Sequence, residues 1–174
     1  MFIIFTGVAG SGKTTVGKLL AKELSWRFYE GDDFHPPANI ERMRRGEPLT
    51  DEDRRPWLDA LRTIIQAALE RDENGISACS ALKQSYRARL RVSEHVVFVH
   101  LAASEDVIKR RLEHRQGHFM NPSLIESQFA TLETPQAALS LDASLAAAAA
   151  VLVQQVRQAL PIRVCSQGCM PLAV

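Results

Sequence analysis

A short motif near the amino terminus constrains the fold of this chain more than any other feature. Residues 7–14 read GVAGSGKT and fit the pattern G-x-x-x-x-G-K-[ST], in which a glycine-rich loop cradles phosphate groups. The apolar run 2–6 before the motif predicts a strand that is covered on both faces. The helical spacing of apolar residues over 16–24 predicts an amphipathic helix after it. This order of strand, loop and helix is the context that the motif requires.

Each part of the motif has a chemical role toward a nucleotide. The glycines let successive backbone N–H groups point inward as an anion-binding nest, and the start of the helix adds its positive dipole end. Lys13 reaches the β- and γ-phosphates as a point charge, and the Thr14 hydroxyl can bind Mg²⁺. The predicted phosphate-binding residues are Gly7, Gly10, Ser11, Gly12, Lys13, Thr14 and Thr15. The alternative interpretation is a glycine turn with a surface lysine, which the flanking strand and helix disfavour.

Composition and charge narrow the class of protein. A chain of 174 residues supports one domain, and 46% apolar with 24% charged residues is typical of soluble globular proteins. The net charge of +1 provides no global field for nucleic acid or a membrane surface, so phosphate must be bound locally. The three cysteines are too few for a disulfide framework, which favours a reducing cytoplasm. We expect no cleaved signal peptide and no transmembrane segment.

Short apolar runs alternate with longer amphipathic ones along the chain, which predicts an α/β fold with a parallel sheet and crossover helices. Further strands are predicted at 27–30, 75–80, 96–101 and 138–142, and helices at 39–45, 82–90, 104–112, 123–132 and 145–160. Another long helix runs to about residue 71, and Pro56 obscures its start. We therefore predict one domain over 1–160 and a tail over 161–174.

The predicted strand at 75–80 ends without an acidic residue, although many nucleotide hydrolases hold Mg²⁺ through an Asp at such a position. The nearest substitute is Asp32, which can face the phosphate loop if the strand before it lies close to the first strand. This pattern favours phosphoryl transfer to a small molecule over a mechanical ATPase. Asp32 and Asp33 also have an alternative interpretation as solvated acids in a turn.

Four blocks of the sequence resemble the gluconokinase family, the small P-loop kinases that phosphorylate D-gluconate at its 6-hydroxyl. The blocks are GVAGSGKTT at 7–15, GDDFHPPANIERMRRGEPLTDEDRRPWL at 31–58, CSALKQSYRARLR at 79–91 and RLEHRQGHFMNPSLIESQFATLE at 111–133. Together they span most of the chain in the family's order. The second and third blocks are the most specific, since related kinases of similar fold do not share GD-x-x-HP, D-x-D-R-x-PWL or CSALK.

The resemblance implies a nucleoside-kinase-like fold with a five-stranded parallel sheet flanked by helices. In that fold 31–53 is a substrate-side insertion and 111–128 is a lid over ATP. ATP and Mg²⁺ are the implied cofactors, D-gluconate is the implied partner, and 6-phospho-D-gluconate is the implied product. Arg111 and Arg115 are the lid candidates that reach the phosphates, although both have the alternative interpretation of solvated helix charges.

Gluconate brings a carboxylate and a row of hydroxyls, so its site needs a basic group and several hydrogen-bonding side chains. Lys83 and Arg87 meet this need, since they lie four residues apart on a predicted helix and share a face. Asp32 is the candidate to orient the 6-hydroxyl and accept its proton, or to organise Mg²⁺ through water. His35 is a substrate or loop-shaping contact by resemblance, and Arg54 either contacts the substrate or fixes the start of the long helix.

These assignments make Lys13, Asp32 and Arg115 the predicted catalytic residues, with Thr14 and Asp32 at the metal. The resemblance also implies a homodimer in the cytoplasm, with no nucleic-acid or membrane partner. The tail has no counterpart in the family pattern, so it carries no functional prediction.

Two other functions share part of this pattern. A kinase acting on shikimate or a nucleoside monophosphate has the same fold and phosphate loop, but CSALK stands where a shikimate site is expected to carry a glycine-rich stretch. A nucleotide-sensing module without turnover lacks a catalytic acid or a basic lid, and this chain has candidates for both. The sequence therefore favours a gluconate kinase over either alternative.

Overall fold

A parallel β-sheet lies between two layers of helices. The structure, a computed structural model, describes residues 1–113, 124–144 and 149–162. The five strands are β1 (Phe2–Thr6), β2 (Arg27–Glu30), β3 (Gly75–Ala78), β4 (Val96–Ala102) and β5 (Leu139–Asp142). They pair in the order β2-β3-β1-β4-β5, and every pair is parallel. The predicted five-stranded parallel sheet is thus confirmed.

Helices cover both faces of this sheet. They are α1 (Lys13–Leu24), α2 (Pro37–Arg44), α3 (Asp51–Glu70), α4 (Gln84–Leu90), α5 (Glu105–Glu113), α6 (Leu124–Thr131) and α7 (Ala149–Ala159). A short 3-10 turn over Gly31–Phe34 follows β2. Among the described residues, no helix combines the length and the apolar character needed to cross a membrane.

The sequence did not define where α3 begins, because Pro56 lies near its start. Thr50 caps the helix reciprocally with Asp53: its hydroxyl accepts from the Asp53 N–H at 3.2 Å, and its own N–H donates to the Asp53 carboxylate at 2.7 Å. Pro56 therefore lies inside the helix rather than before it. The carbonyl that loses its N–H partner belongs to Glu52, which is exposed, so water can satisfy it.

The strand β1 is fully buried because both faces of the sheet are covered. Phe2 and Ile4 pack with α3 and α4, whereas Ile3 and Phe5 pack with α1 and α7. This alternation is the period of two that a strand imposes on its side chains. The continuous apolar run in the sequence thus reflects two cores, one on each side of the central strand.

The end of β2 is held in place by a close backbone approach and by Trp57. A Cβ atom at Gly31 would lie 2.3 Å from the Ala78 carbonyl oxygen, so only glycine fits there. The buried Trp57 Nε1 donates to the Gly31 carbonyl at 2.7 Å, and its ring stacks on His35 with centroids 4.2 Å apart. The long helix α3 thereby fixes the position of Asp32, which directly follows this joint.

The region after β3 differs from the prediction. The strand ends at Ala78, and α4 begins only at Gln84. Lys83 has an extended backbone, with φ −87° and ψ 150°, and stands as the residue before the helix. Lys83 and Arg87 therefore do not share a helix face as their spacing predicted.

Three segments of the sequence predictions lie outside the described residues. They are 114–123, 145–148 and 163–174. Only the two ends of the predicted lid, 111–113 and 124–128, are described, and they belong to α5 and α6.

Removal of the Trp57 hydrogen bond is expected to destabilise the fold. In Trp57→Phe the buried Gly31 carbonyl loses its donor, which we expect to lower the free energy of unfolding by about 1–3 kcal/mol. Trp26→Phe is the matched control, because Trp26 is only half-buried and packs at the edge of the opposite core. Urea denaturation followed by circular dichroism measures both variants. Equal losses in the two variants would contradict the role assigned to the Trp57 N–H group.

Candidate active site

The phosphate loop leaves the carboxyl end of β1 through Gly7. This residue has φ +135°, and a Cβ atom on it would lie 2.7 Å from the Leu101 carbonyl oxygen. Its N–H donates to the Ser80 carbonyl at 3.3 Å, which ties the loop to the chain after β3. The first glycine of the motif is therefore required by the close contact with β4, and the remaining loop turns over the edge of the sheet.

Inside the loop, polar groups point toward its centre. The Ser11 N–H donates to the Val8 carbonyl at 3.2 Å, and the Lys13 ammonium donates to the same carbonyl at 2.9 Å. The buried Ser11 hydroxyl has no hydrogen-bond partner within the described part of the chain. The Ala9 N–H donates to the Gln128 side chain at 2.8 Å, so α6 closes one side of the loop. An anion with several oxygens placed over the loop could accept a hydrogen bond from this hydroxyl.

A cavity of about 390 Å³ opens over the loop. All the predicted phosphate-binding residues except Gly7 line it. Arg111 lines it as well, while its guanidinium donates to the Ala143 carbonyl at 2.5 Å. Arg111 thus lies beside the phosphate loop, whereas Arg115 lies outside the described residues.

Two acidic side chains, Glu30 and Asp32, line this cavity. Burial raises the pKa of Glu30, a hydrogen bond with Thr14 opposes that rise, and the negative charge of Asp32 adds to it. The two carboxylates are therefore close enough to interact, and Glu30 contacts the hydroxyl predicted to bind metal. Oxygen donors of this kind suit Mg²⁺, which is usually held by one or two carboxylates together with phosphate oxygens and waters. The described residues contain no group of three or more acidic, His or Cys side chains that could hold a metal without such help.

A second cavity of about 50 Å³ lies beside the first. Its wall combines apolar side chains with a few polar ones, and it includes Gln128, which also contacts the phosphate loop. Asp32 and Ser80 line both cavities. A group bound in the second cavity would therefore meet the phosphates at Asp32.

His35 and Arg54 both line the second cavity. Burial and the charge of Arg54 lower the pKa of His35 to about 4, so its imidazole is neutral at physiological pH. Its Nδ1 is buried and has no hydrogen-bond partner among the described residues. The Arg54 guanidinium donates to the Leu49 carbonyl at 2.5 Å and lies 3.4 Å from the Tyr86 hydroxyl. The wall thus offers one cation and one neutral ring nitrogen to a bound molecule.

Arg87 is placed differently from the prediction. Its side chain is buried, and its guanidinium donates to the carbonyls of Ala81, Leu82 and Glu133 at 2.7–2.9 Å. It lines neither of the two cavities described above. Arg87 therefore crosslinks the backbone after β3 to the chain that follows α6.

Lys83 lies outside the wall of the second cavity, but close to it. Its ammonium donates to both carboxylate oxygens of Asp51 at 2.8 Å and sits 5.7 Å from the ring of Tyr86, which does line the cavity. Lys83 thus contacts Tyr86, which lines the predicted substrate site, but does not line that site itself.

Three site residues were missed from the sequence. Glu30 carried a signal, because it is an acid at the end of a strand and two residues before Asp32. Tyr86 was assigned only to helix periodicity, and its hydroxyl reaches the cavity wall. Gln128 gave no signal, since its contact with Ala9 joins residues far apart in the sequence.

The depressed pKa of His35 predicts a loss of stability in acid. The unfolded state binds a proton near pH 6.5 and the folded state only near pH 4, so stability present above about pH 6.5 is lost as the pH falls through this interval. The full effect corresponds to about 3 kcal/mol at most. His35→Phe keeps an aromatic ring against Trp57 and removes the titration, so its free energy of unfolding should depend less steeply on pH.

Urea unfolding at a series of pH values measures this difference. A residual slope is expected in the variant, because burial also lowers the pKa of His100. Identical slopes for the two proteins would assign the acid sensitivity to other groups.

Proteins that are similar to this chain in sequence and fold include several kinases. Residues 9–160 match the family model described as shikimate kinase. The gluconokinase of Gluconobacter oxydans is 47% identical over 135 residues, which cover 77% of this chain and 76% of that protein. A solved sugar kinase from Janibacter sp. HTCC2649 is 42% identical with a TM-score of 0.83, covering 90% of this chain and 92% of that chain. A solved gluconokinase from Sinorhizobium meliloti is 43% identical with a TM-score of 0.76, covering 88% and 87%.

The match to the family model covers most of the chain, and the Gluconobacter oxydans gluconokinase is 47% identical to it over the aligned residues. The resemblance found in the four sequence blocks is confirmed by these relatives. This chain belongs to the shikimate kinase family of P-loop proteins and, within that fold, to the gluconokinases.

Proposed function

We propose that this protein transfers the terminal phosphoryl group of ATP to the 6-hydroxyl of D-gluconate. The observation that carries the proposal is the shared wall of the two cavities, where Asp32 faces both the phosphate loop and the second cavity. Phosphoryl transfer depends mainly on positioning and on charge stabilisation, and a shared carboxylate serves the first need. The similarity to gluconokinases supports D-gluconate as the acceptor.

In this proposal Asp32 orients the 6-hydroxyl and accepts its proton. The hydroxyl oxygen attacks the γ-phosphorus, and the bond to the bridging oxygen breaks so that ADP leaves with that electron pair. Lys13 and the loop amides hold the phosphates, and Arg111 adds positive charge from the other side of the cavity. Arg115 stays a prediction as a second lid cation.

Thr14 and Glu30 are the side chains that would hold Mg²⁺, with Asp32 beside them. When bound, the ion would neutralise charge on the phosphate oxygens. Asp32 lines both cavities and Glu30 lines only the first, so we assign proton transfer to Asp32 and metal binding chiefly to Glu30.

The acceptor carboxylate is assigned to Arg54 instead of Arg87. Arg54 lines the second cavity with a mostly buried side chain, whereas the Arg87 guanidinium is already bonded to three backbone carbonyls. His35 presents a neutral ring nitrogen to the acceptor hydroxyls. The homodimer and the cytoplasmic location implied by the family pattern stay predictions.

Release of ADP by the purified protein with Mg-ATP tests this function. D-Gluconate, shikimate, common hexoses and nucleoside monophosphates are compared with a reaction that has no acceptor. We expect turnover with gluconate alone among these acceptors. Turnover with shikimate or a nucleotide, or hydrolysis without any acceptor, would reject the proposed substrate while leaving the phosphate site intact.

Substitution of two lysines in α1 tests whether turnover depends on the phosphate loop. Lys13→Ala should lower kcat by about 100-fold or more, because a positioned charge at the phosphates is lost. Lys18→Ala is the control, since Lys18 is exposed on the same helix and lines neither cavity. Equal activity in both variants would reject the assignment of Lys13.

The two arginines should separate binding from stability. Arg54→Ala should raise KM for gluconate roughly 10- to 100-fold with little change in KM for ATP, since a charged hydrogen bond to the carboxylate is removed. Arg87→Ala should leave both KM values near normal and lower the free energy of unfolding by about 2–3 kcal/mol, because three carbonyls lose their donor. Steady-state kinetics and urea denaturation of both variants measure these effects. The reverse pattern would restore Arg87 as the substrate ligand.

A further inference from the structure

The carboxylate of Asp51 is paired with basic groups beside the second cavity. The two oxygens of Asp51 each accept from the Lys83 ammonium at 2.8 Å, and one of them also accepts from the Tyr86 hydroxyl. The Arg54 guanidinium lies 4.0 Å from the same oxygen. Tyr86 and Arg54 line the second cavity, so the Asp51 carboxylate is held by groups at the edge of the proposed substrate site.

The members of this cluster differ in exposure. The Asp51 side chain is 59% exposed, compared with 30% for Lys83 and 19% for Arg54. Asp51 is therefore the most exposed of these three side chains, and Arg54 and Tyr86 line the cavity. An exposed ion pair contributes little net stability, so rotation of the Asp51 side chain into water costs little. Arg54, by contrast, is also held by its hydrogen bond to the Leu49 carbonyl.

The charges in the cluster are unequal. Lys83 and Arg54 supply two positive charges, and Asp51 supplies one negative charge that lies closest to Lys83. Hydrogen bonds from Lys83 and Tyr86 lower the pKa of Asp51, so it is ionised throughout the physiological range. An acceptor with a carboxylate can take the place of this side chain without leaving a donor unpaired. A neutral sugar cannot displace Asp51 in this way, because Lys83 would then have no carboxylate partner.

We propose that Asp51 is an internal competitor for the carboxylate of the acceptor. It pairs with Lys83 and Tyr86 while the site is empty and rotates into solvent when a sugar acid binds. The exchange of one carboxylate for another weakens the binding of the acid and disfavours neutral sugars. This inference rests on the proposed function, because it assumes that gluconate binds in the second cavity.

Asp51→Asn tests the competition, and the chain offers a matched control. Asp51 and Glu52 are neighbouring acids in the first turn of α3, but Glu52 pairs with the exposed Arg55 at 2.6 Å and lies away from the cluster. Loss of either charge has a similar effect on the helix dipole. Glu52→Gln therefore controls for the general effect of removing an acid at this helix start.

Binding is measured by the fluorescence of Trp57. The chain has two tryptophans, so in a Trp26→Phe background Trp57 is the single reporter, and it lines the second cavity. D-Gluconate is titrated without ATP into this background, into the same protein with Asp51→Asn, and into the same protein with Glu52→Gln. Asp51→Ser is a second variant that also removes the charge, and thermal melting checks the fold of each protein.

We expect Asp51→Asn and Asp51→Ser to lower Kd for gluconate about two- to tenfold, whereas Glu52→Gln leaves it nearly unchanged. Steady-state KM for gluconate should fall in parallel, with KM for ATP unaffected. An unchanged or higher Kd for gluconate in both Asp51 variants would overturn the competition, since Asp51 would then be a residue that positions Lys83 and Tyr86 for the substrate.

Turnover by the unsubstituted protein separates this inference from the proposed function. If that protein phosphorylates gluconate and the Asp51 variants bind it no more tightly, only the competition is rejected. If it phosphorylates another acceptor and not gluconate, the proposed function and the competition are both rejected.

Discussion

The close contact between Gly7 and the neighbouring strand is the constraint on which the site depends. The strand β1 is buried on both faces, and the chain leaves it at the carboxyl edge of the sheet. There the Leu101 carbonyl lies so near that a Cβ atom would clash at 2.7 Å. The chain turns at this point, and the loop lies over the same edge at which β2 and β3 end. The phosphate site is thus a consequence of how the central strand packs.

A second contact of the same kind places the acid. Gly31 approaches the Ala78 carbonyl at the end of β3 and receives the Trp57 hydrogen bond from α3. The two glycines let the chain pass close to neighbouring strands, Gly7 beside β4 and Gly31 beside the end of β3. Asp32, which directly follows Gly31, therefore lies in the wall common to both cavities. Close backbone contacts therefore contribute to the position of the Asp32 carboxylate.

Much of this arrangement could be predicted from the sequence, and the reasons are local. The strands β1, β3 and β4 could be predicted as apolar runs because most of their residues are buried. The phosphate loop could be predicted because its glycines and Lys13 lie close together in the sequence. The role of Arg87 could not be predicted, because its acceptors are backbone carbonyls supplied by distant segments, including Glu133. Helical spacing placed it with Lys83, but the extended backbone of Lys83 breaks that pattern. Contacts formed by the fold, such as Gln128 with Ala9, leave no periodic signal.

The distribution of charge explains how a nearly neutral chain can serve two anions. The net charge is +1, so long-range attraction is weak and binding depends on groups within a few ångströms. Lys13 and Arg111 line the phosphate cavity, and Arg54 lines the second. Asp32 lines both cavities and so lies between these two sets of cations, where in the proposed function it meets the acceptor hydroxyl. In the proposed function each anion needs cations of its own. Asp51, which pairs with Lys83 at the edge of the second cavity, would then set how tightly the acceptor carboxylate is held.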